Sequence, residues 1–118
     1  MIKNITFDYY NWDEFKAFLD ALPSRDAAKL VTTISKIEEY GLRTSERQKW
    51  VKKIESNLYE IRSKFGSNIQ RAIYFHVEDS HYIITHGFTK KVEKTPEIEK
   101  RKGRNRRNTY FHRKDDLI

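Results

Sequence analysis

The sequence predicts an α+β fold: an N-terminal strand and a helical hairpin packed on an antiparallel β-sheet, followed by a basic C-terminal helix. Two observations predict it. Apolar residues recur with a helical period as far as Ile37 and with the strand period of two from Leu58 onward. Turn residues separate these segments, with no Pro/Gly/Ser-rich linker and no internal repeat. The expected arrangement is a layer of helices on one face of the sheet.

Ile2, Ile5, Phe7 and Tyr9 alternate in part and predict a strand over 2–9. Asn11 followed by Glu14 is a helix-opening pattern, and Phe15, Phe18, Leu19 and Leu22 then share one face. Pro23 ends that helix, and Ser24 is a good cap for the next. In the second helix Ala27, Leu30, Val31, Ile34 and Ile37 form the apolar stripe, and Gly41 stands where a helix commonly stops. Residues 46–53, strongly basic around Trp50 and Val51, are expected to be a loop or short helix. Leu58–Phe65, Ile69–Val77 and His81–Thr89 predict three strands, with a two-residue turn at Gly66-Ser67 and a reversal over Glu78-Asp79-Ser80. Thr95-Pro96 opens a last helix, with proline at its first position and Glu97 and Glu99 in its first turn. Beyond Ile98 this helix has no apolar stripe before Tyr110 and Phe111, so it needs a covering surface or stays disordered.

The chain has 118 residues, 37% hydrophobic and 35% charged, the size of one domain (1–118) with a basic C-terminal extension at 100–118. It contains no cysteine, which excludes disulfides, thiolate chemistry and finger-type zinc sites. With no long apolar run and no signal-peptide pattern, a soluble cytoplasmic protein is expected. The net charge of +7 is localised. Residues 1–85 carry 13 basic against 12 acidic side chains, whereas residues 86–114 carry 11 against 3. Such asymmetry points to a polyanionic partner, nucleic acid above all; a solvated basic tail is the plainer alternative.

An even loop at Gly66-Ser67 sets Arg62 opposite Arg71, Glu60 opposite Ile73 and Tyr59 opposite Tyr74. A turn centred on Asp79-Ser80 sets His86 beside Ile73 and Phe88 beside Arg71. One face then carries Glu60, Arg62, Arg71, His86 and Lys90 with Ile73 and Phe88. The other carries Tyr59, Ile61, Ala72, Tyr74, His76 and Ile83. Two facing arginines repel each other, a cost a fold accepts when an anion is to sit between them. His76, Glu78, His81 and His86 cluster in sequence, but this register splits His76 from His86, so no metal site is expected.

The runs Leu58-Tyr59-Glu60-Ile61-Arg62, Arg71-Ala72-Ile73-Tyr74-Phe75 and His86-Gly87-Phe88-Thr89-Lys90-Lys91, with Thr95-Pro96-Glu97, resemble the phage-derived branch of the RelE/HigB toxin superfamily over roughly residues 50–105. The resemblance implies a RelE-like fold and the toxin of a type II toxin–antitoxin module. Such a toxin is an endoribonuclease that cuts mRNA on the ribosome without metal or other cofactor, through attack of the ribose 2′-hydroxyl on the adjacent phosphate. It further implies a cognate antitoxin, HigA-like with a helix-turn-helix domain, and contact with DNA only through that complex. Arg62 and Arg71 match the family's strand arginines and would hold the scissile phosphate, with Lys90, favoured by the register over Lys91, continuing the basic wall. His86 is the natural proton carrier near neutral pH, Glu60 a second candidate and His112 a third. Lys49, Lys52, Lys53, Lys91, Lys94, Arg104, Arg106 and Arg107 would contact RNA. The competing readings are a nucleic-acid-binding module without catalysis and a phage structural or regulatory protein that docks an acidic partner. No strand shows the paired exposed aromatics of an RNA recognition motif.

Overall fold

A computed structural model describes residues 2–92 and 94–116, with 115 and 116 described through the backbone alone. The element order is β1 (Thr6–Tyr9), α1 (Trp12–Ala21), α2 (Ser24–Arg47), β2 (Val51–Glu55), β3 (Leu58–Phe65), β4 (Asn68–Glu78), β5 (His81–Lys90) and α3 (Glu97–Asp116). The five strands form one sheet in the order β1-β5-β4-β3-β2.

The local signals act much as their chemistry suggests. The Asn11 side chain accepts the Glu14 N–H at 3.0 Å and caps α1. Pro23 itself takes the cap position of α2, with Ser24 its first residue and no side-chain cap. Gly41 bends this helix rather than ending it: its φ of 83° interrupts the spiral, which resumes and runs to Arg47. The N-terminal segment fills the bend, where Asn4 N–H donates to the Glu38 carbonyl at 2.7 Å. Likewise α3 begins at Glu97, and Pro96 supplies the carbonyl that receives the Lys100 N–H at 3.1 Å.

Three expectations about the sheet are corrected. It is mixed, because β1 pairs parallel with β5, Thr6 beside His81 through Tyr9 beside Ile84. The basic stretch before Ile54 contains a strand: Val51, Lys52 and Lys53 pair with Ile61, Glu60 and Tyr59. Its alternation is hidden because β2 is an edge strand, and lysines are what edge strands carry outward. Most consequentially, the helices are not all on one face. Leu30, Ile34 and Ile37 of α2 and Phe15 of α1 join Phe7, Ile61, Ala72, Tyr74 and Ile84 in the main core. The third helix covers the opposite face, where Tyr110 and Phe111 pack on Phe75 with ring centroids 5.6 and 5.5 Å away.

Gly103 is what lets α3 approach. A Cβ there would lie 2.8 Å from Ile73 Cγ2, so only glycine permits the helix backbone to rest on the strand. Other anchors are polar. Arg104 forks onto Glu55 at 2.9 and 2.7 Å. Arg106 forks onto Glu14 and reaches the Thr85 carbonyl at 2.9 Å, and Arg107 donates to the Ser56 carbonyl at 2.7 Å. These pairs hold the carboxyl groups of Glu14 and Glu55 below the usual carboxylate range.

Candidate functional site

The hairpin register agrees with the expectation through the functional stretch. Arg62 pairs with Arg71 and Glu60 with Ile73 across β3 and β4, and Phe88 and His86 pair with Arg71 and Ile73 across β4 and β5. Beyond Ile73 the register slips by one residue, so Tyr74 faces Ile84 and Phe75 faces Ile83. This bulge turns Ile83 to the α3 side, beside Phe75, rather than to the face of Tyr74 where alternation alone puts it.

Glu60 and Arg71 are buried and form an ion pair, Nε to Oε1 at 3.7 Å. The second oxygen of Glu60 accepts the Thr95 hydroxyl at 2.7 Å. Sequence reading missed this contact because Thr95 had served only as part of a helix-opening signal. Arg71 Nη1 donates to the Gln70 carbonyl at 3.1 Å. Arg62 is half-buried, and Lys90 is buried at the end of β5.

Three hollows meet around these groups. A hollow of about 860 Å³ lies between Arg62, Lys64, Arg71, Lys90 and Lys91. A smaller one of about 260 Å³ joins Lys49 to Arg62, Lys64 and Arg71. A third, of about 440 Å³, shares Lys90 and gathers Lys52, Lys53, Lys94 and Lys100 around Glu60 and Thr95. Together they form one continuous cationic surface at the end of the sheet. Of the candidates for RNA contact, Lys49, Lys52, Lys53, Lys91 and Lys94 line it. Arg104, Arg106 and Arg107 do not; their guanidinium groups pin α3 to the sheet.

His86 lies on the expected face but outside this surface. It is 2% exposed, beneath α3. Its Nδ1 stands 2.8 Å from the Thr85 hydroxyl and its Nε2 3.1 Å from Glu99 Oε1. A carboxylate there can only accept, which places the ring proton on Nε2 and leaves Nδ1 to receive the Thr85 hydroxyl. Burial, followed by the charges of Lys102 and Arg106, pushes its pKa down to about 3 against an opposing pull from Glu14. The imidazole is neutral here. His112 is exposed on the last turns of α3. His76 meets the Asp79 carbonyl at 2.7 Å and His81 meets Asp8 at 2.5 Å. Among the described residues, no three His, Cys, Asp or Glu side chains are grouped to hold a metal ion, and no helix is long and apolar enough to cross a membrane.

Lys49 occupies an unusual backbone position. Its φ is 62°, and the bonds Lys49 N–H to Glu46 O and Trp50 N–H to Ser45 O, at 3.0 and 2.9 Å, close α2 in a Schellman turn. That position favours glycine, since a left-handed conformation costs other residues roughly 1–2 kcal/mol. Lys49→Gly is therefore expected to raise unfolding free energy in urea by about 1 kcal/mol. The same change removes a cation from the Arg62–Arg71 hollow. A rise in stability would mark a lysine kept at a thermodynamic disadvantage; a destabilised variant would refute it.

A family model described as phage-derived protein Gp49-like (DUF891) matches residues 17–108. The chain belongs to this Gp49-like family. The family is related to type II toxins of the RelE/HigB kind, and the three-helix, five-strand α+β architecture is compatible with theirs. The match includes the second half of α1, all of α2, the four strands from Val51 to Lys90 and the first part of α3, and so every lysine and arginine of the cationic surface. No curated protein matches the chain significantly.

Proposed function

We propose that this Gp49-like chain is the toxin of a type II toxin–antitoxin module: a cytoplasmic, ribosome-dependent mRNA endoribonuclease held inactive by a cognate antitoxin. The observation that carries the reading is the facing pair Arg62 and Arg71, opening with Lys90 into one cationic hollow. Like charges placed directly opposite destabilise a sheet, and a bound phosphate reverses the sign of that term.

In this reading the RNA phosphate sits between the two guanidinium groups. The 2′-oxygen forms a bond to phosphorus while the bond to the 5′-oxygen breaks, leaving a 2′,3′-cyclic phosphate and a 5′-hydroxyl. Arg62, Arg71 and Lys90 take up the charge that grows on the phosphorane. Glu60 is the carboxylate nearest this chemistry and receives the 2′-hydroxyl proton. The leaving 5′-oxygen takes its proton from water; His86, neutral beneath the docked α3, would serve as that acid only in a state where the helix has lifted and the ring has gained a proton. No step calls on a metal. A HigA-like helix-turn-helix antitoxin, through which alone DNA is met, would inhibit by presenting acidic groups to the same surface.

A non-catalytic RNA-binding role is the second reading, favoured by the engagement of Glu60 with Arg71 and Thr95. Expression of the chain from a tightly controlled promoter, with mapping of mRNA 5′ ends, separates the two. Growth arrest with new ends inside translated frames is expected. A folded chain that binds RNA without cutting it would sink the nuclease and leave the binding module.

A further inference from the structure

The hollow around Glu60 lies on a seam. Its wall comes in part from the sheet, with Lys52 and Lys53 on β2, Glu60 on β3 and Lys90 on β5. The rest comes from the segment that carries α3: Lys94, Thr95 and Lys100. Among the described residues, five ammonium groups thus converge on a space whose lining includes one carboxylate. That carboxylate is already engaged, by Arg71 at 3.7 Å and the Thr95 hydroxyl at 2.7 Å. Lys100 also pairs with Glu97 of its own helix at 3.3 Å, which offsets part of the positive charge on that side and leaves Lys94 there opposite the lysines of the sheet.

We infer that this seam is a second phosphodiester subsite, taking the backbone phosphate next to the one held by Arg62 and Arg71, and that filling it clamps α3 to the sheet. The inference rests on the RNA reading above and adds to it a position and a consequence. The position follows from Lys90, which lines both hollows and makes them neighbours rather than separate sites. A chain of phosphates can therefore pass from one to the other without leaving the cationic surface. The consequence follows from the wall's two origins. With the site empty, lysines of the α3 segment and of the sheet repel across the seam. An anion between them makes the same groups attractive, so occupancy favours the docked helix. By linkage the docked helix binds the anion more tightly by the same factor. Since α3 is seated on the sheet by one glycine, two aromatic rings and a set of ion pairs, a modest electrostatic term is enough to change how often it opens.

The test uses the full chain and 2′-deoxy oligonucleotides, which lack the attacking hydroxyl. A dinucleotide offers one phosphodiester, a trinucleotide offers two, and inorganic phosphate offers an isolated anion. The trinucleotide is expected to bind about tenfold more tightly than the dinucleotide, the size of one charge-assisted contact. It is also expected to slow amide hydrogen exchange along α3. Lys94→Ala/Lys100→Ala should remove both the length dependence and the protection of α3. Lys16→Ala/Lys29→Ala, with the same net charge but its changes on α1 and α2, should keep both. Retention of the length dependence in the Lys94/Lys100 variant would overturn the subsite while leaving the nuclease reading intact. Equal protection of α3 by inorganic phosphate at the same concentration would overturn the claim that a nucleic-acid backbone fills it. Failure of every oligonucleotide to bind would remove the RNA reading as well.

Discussion

Replacing Arg62 and Arg71 together by alanine is expected to abolish mRNA cleavage and growth arrest. Removal of one preorganised donor to a developing oxyanion costs roughly 10²–10³ in rate, and in the proposed mechanism two guanidinium groups share that task. The single variants separate chemistry from folding. Arg62 is half-buried and lines two hollows, so Arg62→Ala should lose about 10²-fold in cleavage with a thermal melt close to that of the parent chain. Arg71 is buried against Glu60, and its loss leaves a carboxylate without its ion-pair partner. Arg71→Ala should therefore lower both activity and stability, and Glu60→Gln in that background should recover part of the stability alone. Cleavage that survives in a folded Arg62→Ala/Arg71→Ala chain would show that the phosphate is bound elsewhere.

Acid should loosen the protein through His86. The unfolded imidazole takes up a proton near pH 6.5, whereas in the folded chain the group resists until about pH 3. Between those values the unfolded state binds more protons, so stability falls as pH falls. From pH 7 to pH 4 this one group should cost about 3 kcal/mol. Above pH 7 it contributes no pH dependence, since the ring is neutral in both states. Urea unfolding at pH 7 and pH 4, for the parent chain and for His86→Gln, isolates the effect. Glu14 and Glu55, held as carboxylates by Arg106 and Arg104, add acid sensitivity of their own, but it is common to both chains. A variant that loses as much stability as its parent would show that His86 is not held neutral beneath α3.

What could be read in advance, and what could not, follows from how locally each feature is encoded. The Arg62–Arg71 pairing was legible because Gly66-Ser67 fixes an even loop, and everything within a few residues of it inherits that register. The same logic failed at Ile83, since a one-residue slip beyond Ile73 leaves no mark in the alternation of His81–Lys90. Strand β2 escaped notice because Val51 and Ile54 are its only apolar residues, too few to show a period. The seat of α3 was least legible of all. A helix normally advertises its buried face with an apolar stripe, but this one lies down through a glycine, two distal aromatics and arginines whose partners, Glu14 and Glu55, are far off in sequence. Arginines clustered in a tail look alike whether they meet RNA or their own protein, and Arg104, Arg106 and Arg107 do the latter here.

The parallel pairing of β1 with β5 has a bearing on how the molecule comes into being. During synthesis the first strand emerges with no neighbour, and Thr6 must wait for His81 before its backbone can join the sheet. At about 5–20 residues per second that interval lasts several seconds, during which Phe7, Phe15 and Leu30 have no finished core to enter. Because so long a loop must close first, the pairing of β1 with β5 is expected among the late events of folding, which delayed hydrogen-exchange protection of Thr6 relative to Tyr74 would show. Only then can the last helix settle, because its seat includes Thr85 on β5 and Glu14 on α1. Phe7, Phe15 and Leu30 thus stay without a finished core until β5 has been made, and the cationic surface, which needs Lys90, Lys94 and Lys100, is completed only after that.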